Sequence, residues 1–242
     1  SNPQGVVYSD DTVRRFANLK PAASDFRIFW DNAYCVHHIY ADKQAQILNI
    51  LDECEKAGNP DLVFQFCSTS KVSFPGAGIA AISASAANIA DIKKQLSFQT
   101  IGHDKINQLR HVRYFKDRAG IEAHMMKQAA IIRPKFEMVL ELLEKEIKPL
   151  GIGSWVNPLG GYFIGFETLA GCAKAVVAKC KEAEVTLTGA GATYPYNKDP
   201  KDSNIRIAPS FPTTEELNQA TELFVLCVKL VSVNKLLENK LK

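Results

Sequence analysis

The sequence predicts an α/β domain on a largely parallel sheet, followed by a smaller α+β unit. Two observations carry this. In the first half, short apolar runs alternate with stretches of helical spacing. That strand–helix–strand order is the one that crossover connections in a parallel sheet produce. After residue 150 the pattern changes to a hairpin, a helix, an alternating strand and a long helix, a block of about ninety residues and so of ordinary domain size. The expected division is a larger domain over 1–119, a long connecting helix over 120–150 and a small C-terminal domain over 151–242.

The elements follow in order. Residues 26–30 are a strand signal, rich in aromatics and bounded by Ser24-Asp25 and Asp31-Asn32. Residues 44–56 place Ile47, Ile50, Leu51 and Cys54 at helical spacing, and Gly58-Asn59-Pro60 stops that helix. Residues 62–67 read as a second strand, 78–83 as a third and 88–96 as a helix. Helices are expected over 104–118 and 121–147, the second with Ile132, Phe136, Val139, Leu140, Leu143 and Ile147 at helical spacing. Pro134 removes one backbone donor and should kink or split it. Trp155-Val156 and residues 162–166 flank Pro158-Leu159-Gly160-Gly161 like a hairpin. Residues 172–184 are helical and 205–208 alternate like a strand. Thr213-Thr214-Glu215-Glu216 is a capping box, and Leu217, Ala220, Phe224, Cys227 and Val231 form one face of the helix after it.

Composition removes several function classes. The 242 residues are 46% hydrophobic and 23% charged, which excludes disordered, collagen-like and coiled-coil chains. The net charge is +3 with no dense Lys/Arg block, so neither nucleic acid nor an anionic membrane is an expected partner. The uncharged run 72–90 holds Pro75, Gly76, Gly78, Asn88 and serines, and reads as buried loop and strand, not a membrane span. The first ten residues are too polar for a signal peptide. Six cysteines without a C-x-x-C pair fit reduced thiols in a cytoplasmic protein. His37-His38 is the one neighbouring histidine pair, and no metal site is expected.

One constellation carries chemistry. Asp31 closes the first strand and Tyr34 lies three residues on. Lys71 follows the second strand in Cys67-Ser68-Thr69-Ser70-Lys71. If the two strands are parallel, Asp31 and Lys71 share the carboxyl edge of the sheet, where α/β proteins bind ligands. A lysine can form a Schiff base with an aldehyde cofactor. A carboxylate can hold a pyridine nitrogen protonated, a phenol can donate to a ring oxygen, and serines can hold a phosphate. That set is what pyridoxal phosphate requires. Alone, a strand-end Asp is a common turn residue. The order and strand context of the whole set carry the reading.

Four blocks in order also resemble a family. Asn2-Pro3-Gln4-Gly5, Asp31-Asn32-Ala33-Tyr34, Ser68-Thr69-Ser70-Lys71 and Asn204-Ile205-Arg206-Ile207 are similar to the conserved blocks of class I/II aminotransferases, fold type I of the pyridoxal-phosphate enzymes. The form after the lysine resembles a divergent aspartate aminotransferase or MocR-like subgroup. The resemblance covers essentially the whole chain and only the C-terminal part of the family's fold. It implies the second half of the large cofactor domain plus the small domain. Alone, such a chain is expected to have an unfinished sheet edge and little activity.

The resemblance also implies roles. Lys71 would carry the cofactor and shuttle the proton. Asp31 would pair with the pyridinium nitrogen, and Tyr34 and Asn2 would contact the ring oxygen. Ser68 and Ser70 would take phosphate oxygens. Arg206 would clamp the substrate α-carboxylate, with Asn2 beside it. The implied reaction moves an amino group from an amino acid, expected to be L-aspartate, to a 2-oxo acid, expected to be 2-oxoglutarate, by a ping-pong route in a cytoplasmic homodimer. A β-lyase or decarboxylase using Lys71, and a non-catalytic sensor domain, are the alternatives. One departure stands out: Gly78 replaces the arginine that binds the cofactor phosphate in many relatives. Lys105 and Arg110 are candidates for the missing cation. Tyr162 and Phe163 could border the substrate or serve the small-domain core. Trp30 and Met125-Met126 read as packing.

Overall fold

The computed structural model describes residues 1–241. The chain forms two compact units. One comprises Val7–His38 and Ala45–Lys127; the other comprises Ser1–Val6, Ile39–Gln44 and the chain from Gln128 onward.

In the first unit, β1 (Ile28–Asp31) runs parallel to β2 (Val63–Ser68), with Asp31 opposite Phe66. β3 (Ala80–Ser83) joins β2 antiparallel, Ser68 opposite Ala80. A parallel return needs a crossover of a dozen or more residues, usually helical, and residues 69–79 hold no helix. A helix not anticipated, α1 (Asp10–Ala17), opens this unit. Ser9 caps it by accepting from the Thr12 N–H, and Asp10 and Asp11 sit in the first turn. Its Val13 and Ala17 pack with Trp30, Ile50, Cys54 and Val63. α2 (Ile50–Lys56) begins six residues later than residue 44, because the Asn49 side chain caps the Leu51 N–H at 3.1 Å and Ile39–Gln44 belongs to the other unit. α3 (Ala86–Gln99) and α4 (Lys105–Phe115) start at the capping side chains of Ser85 and Asp104. Phe115 of α4 packs with Val72 and Met125 in a small core of its own.

α5 (Arg118–Glu146) passes through Pro134 without a break. Pro134 and Ala130, whose carbonyl lacks that N–H, both lie on the exposed face, where water can take the carbonyl. The second unit folds around an antiparallel sheet of β4 (Gly153–Trp155), β5 (Ile164–Thr168) and β6 (Asn204–Ile207), with β5 central. α6 (Ala173–Glu182) and α7 (Thr214–Lys240) complete it. Phe136, Leu143, Phe166, Val176, Ile205 and Val228 are among its core residues, and Phe166 meets Phe224 edge-on at 5.1 Å. The capping box forms as its sequence implies. Thr213 Oγ1 accepts from the Glu216 N–H, and Glu216 accepts from the Thr213 N–H at 2.9 Å. All six cysteines are free. Among the described residues, no helix is long and apolar enough to cross a membrane, and no group of His, Cys, Asp and Glu could hold a metal ion.

Candidate active site

The parallel β1–β2 pair brings Asp31 and Ser68, the last residues of the two strands, to one carboxyl edge. Past Ser68 the chain turns at once, because the Val72 and Ser73 N–H groups both donate to the Thr69 carbonyl at 2.9 Å. The turn leaves Lys71 exposed, its Nζ 5.0 Å from the centre of the Tyr34 ring. An ammonium over a phenol face is attracted by the ring quadrupole. Ser68 Oγ and Ser70 Oγ lie 2.7 Å apart, and the Ser70 N–H donates to Ser68 Oγ at 3.0 Å. Asp31 is exposed and accepts from the Ala33 N–H at 3.0 Å.

Gly78 is pressed onto this turn. A Cβ there would lie 2.5 Å from Ser70 Oγ and 2.7 Å from Ser70 N, closer than real contacts allow. The residue that departs from the family pattern therefore stands where no side chain fits. Lys105 and Arg110 are exposed on α4, and the residues of that helix that touch the loop are others. Asn107 Nδ2 donates to the Ala77 carbonyl at 2.7 Å. His111 Nε2 lies 3.0 Å from Thr69 Oγ1 and 2.9 Å from Ser73 Oγ. Two further histidines reach the same turn, His37 to the Lys71 carbonyl at 3.2 Å and His124 to the Val72 carbonyl at 2.8 Å. Burial, joined by the nearby Lys71 ammonium, pushes the His37 imidazole down to about 4. None of these contacts was visible from spacing. The His37-His38 pair stood out in the sequence only as neighbouring histidines with no metal site expected of them.

In the second unit the structure brings Asn2 and Arg206 together. Arg206 Nη1 donates to Asn2 Oδ1 at 3.0 Å and Nη2 to Thr188 Oγ1 at 3.2 Å, while the guanidinium lies 4.5 Å from the centre of the Phe163 ring. Arg206 Nε is buried and has no hydrogen-bond partner among the described residues. A buried donor without an acceptor costs free energy, and a planar carboxylate would satisfy it. Gly5, at φ +75°, lets the first residues lie against the hairpin, since a Cβ there would sit 2.4 Å from the Phe163 carbonyl oxygen. Arg206 also borders an apolar cavity of about 160 Å³, with Val139, Leu187, Thr188 and Phe224 in its wall, and among the described residues is the sole charged side chain lining it. Burial raises the neighbouring Tyr162 phenol above its usual range.

A family model described as aspartate amino-transferase matches residues 1–240. An aspartate aminotransferase of Corynebacterium glutamicum is 41% identical over 232 residues, which cover 96% of this chain and 54% of that protein. The crystal structure of an aspartate transaminase from Corynebacterium glutamicum superposes with a TM-score of 0.94 at 41% identity, covering 97% of this chain and 55% of that one. At 18% identity, the α-aminoadipate aminotransferase LysN of Thermus thermophilus, complexed with N-(5'-phosphopyridoxyl)-L-leucine, shares the fold with a TM-score of 0.74. The chain thus spans a little over half the length of these relatives.

Proposed function

The chain belongs to the aspartate aminotransferase family, and on that premise we propose that it carries the lysine and the carboxylate clamp of a pyridoxal-phosphate transaminase. The observation that carries the reading is the exposed Lys71 amine at the carboxyl edge of the β1–β2 pair, placed just after two paired hydroxyls.

The residues suit the cofactor. Ser68 and Ser70 hold adjacent hydroxyls that would serve phosphate oxygens. The Tyr34 ring lies under the Lys71 amine, and its phenol would serve a ring oxygen, the role that the resemblance also gives to Asn2. Asp31 is a carboxylate for a pyridinium nitrogen. When bound, pyridoxal phosphate supplies the electron sink that a substrate α-carbanion needs. The chain's own work is then to bind, orient and move protons. Lys71 would hold the cofactor aldehyde and, once released from it, would take the substrate α-proton and return a proton on the other side of the transfer. Arg206 takes the substrate α-carboxylate on its unpartnered Nε–H and a terminal nitrogen, with Thr188 and Phe163 fixing the plane of the guanidinium.

We take the amino donor to be L-aspartate and the acceptor 2-oxoglutarate, by a ping-pong route in a cytoplasmic homodimer. The names of the relatives support the donor, and the free cysteines fit the compartment. The test is direct. Pyridoxal phosphate added to the purified protein should give the visible absorbance of a lysine-linked cofactor, and borohydride reduction should fix the added mass on Lys71. Aspartate should bleach that absorbance and 2-oxoglutarate should restore it. Arg206→Ala should raise the half-saturating aspartate concentration roughly a hundredfold, the equivalent of about 3 kcal/mol for a bidentate charge-assisted pair. Identical spectra from Lys71→Ala and the wild type would sink the reading. Turnover of aspartate with no 2-oxo acid would point to a lyase or decarboxylase instead.

A further inference from the structure

Three histidines from three separate elements converge on the turn that carries Lys71. His37 lies beyond β1, His111 on α4 and His124 on α5. His37 Nε2 meets the Lys71 carbonyl at 3.2 Å and His124 Nε2 meets the Val72 carbonyl at 2.8 Å. A carbonyl only accepts, so both rings donate an Nε2–H. His111 works the other way round. Its Nδ1 lies 2.9 Å from the Asn107 carbonyl and must donate there, so in the neutral ring Nε2 is left as an acceptor. It faces the hydroxyls of Thr69 at 3.0 Å and Ser73 at 2.9 Å. The rings thus hold positions 69, 71, 72 and 73, bracketing Lys71 on both sides.

His37 does more than hold one carbonyl. Its ring meets the Tyr34 ring edge-on at 5.3 Å, and the His37 backbone N–H donates to the Tyr34 carbonyl at 3.1 Å. One buried imidazole therefore ties together the lysine and the phenol that lies under it.

We propose that His37, His111 and His124 are positioning residues that fix the Lys71 turn and so aim its amine. The inference rests on the reading of Lys71 as the cofactor lysine. Two measurements keep the two claims apart. The first is amide hydrogen exchange across 69–79 in the cofactor-free protein, which needs no cofactor chemistry. The second is titration with pyridoxal phosphate, followed at the absorbance of the lysine-linked cofactor together with the pH midpoint of that absorbance.

His37→Leu and His111→Leu should speed exchange across 69–79 tenfold or more and leave 153–168 and 204–207 as they were. They should also weaken cofactor capture about tenfold and move the pH midpoint. His37→Gln keeps an N–H for the Lys71 carbonyl and should restore most of what His37→Leu loses. Wild-type exchange in the leucine variants overturns the proposal, as does failure of the glutamine variant to rescue. If the leucine variants do not fold, Ser73→Ala removes the hydroxyl that His111 meets at 2.9 Å and leaves the Thr69–Ile79 bonds in place. It should loosen 69–79 alone, and unchanged exchange there also overturns the proposal. A wild-type protein that takes no cofactor on Lys71 removes the proposed function, and exchange then decides the bracing by itself.

Discussion

At the scale of single residues, the close approach of Gly78 to Ser70 makes a sharp prediction. In Gly78→Ala the new Cβ would have Ser70 Oγ, N and Cα all within 2.8 Å, so the serine backbone has to move. Overpacking of this kind costs about 1–3 kcal/mol. Because the strain falls on Ser70, cofactor capture should weaken as well. Gly102 is the control: a Cβ there meets nothing within 4 Å. We expect Gly78→Ala to melt several degrees below the wild type and Gly102→Ala to melt with it, as read by calorimetry. The same geometry implies that restoring the arginine of other relatives, as Gly78→Arg, displaces Ser70 and does not supply a phosphate cation. A Gly78→Arg protein that binds pyridoxal phosphate more tightly than the wild type would contradict that.

At the scale of elements, what could be read in the sequence was what contiguous residues decide. The α7 capping box lies within four neighbouring residues and forms as written. Thr213→Ala should cost about 1 kcal/mol in urea unfolding, the usual worth of an N-cap, and the loss should not add with that of Glu216→Ala, because the two side chains share one pair of bonds. The β1–β2 pair, the β4–β5 hairpin and β6 were likewise legible from local apolar patterns. The rest depended on distant partners. α1 is short and polar, and its Val13 and Ala17 count as core only once Ile50 and Val63 stand opposite them. α2 starts late because the chain passes through the other unit just before it. Pro134 was expected to kink or split its helix, and the helix runs on through it, the missing bond falling on a face that water covers. In the site, Lys71, Tyr34, Ser68 and Ser70 were legible as motif residues. The histidines were not, since 37, 111 and 124 share no spacing and meet only through the fold.

At the scale of the whole molecule, the same cradle sets how stability should follow pH. His37 is 4% exposed, and burial beside Lys71 lowers its proton affinity to about 4 from an ordinary 6.5. The unfolded chain therefore takes up a proton below pH 6.5 that the folded chain refuses until about pH 4. Stability is full above pH 6.5, falls with pH through that window and levels off below it. At about 1.4 kcal/mol per pH unit, the loss attributable to His37 is roughly 2 kcal/mol between pH 7 and pH 5. His38, also lowered by burial, adds in the same direction. Urea unfolding of the wild type and of His37→Gln at the two pH values separates the contributions. The glutamine has no proton to gain and still donates to the Lys71 carbonyl, so the variant should lose about 2 kcal/mol less than the wild type on acidification. Parallel losses in the two proteins would mean that His37 already accepts a proton in the folded state near its ordinary pH. The Nε2–H donor would survive that, but the ring would then be a buried cation near the Lys71 charge, the two influences that lower its proton affinity.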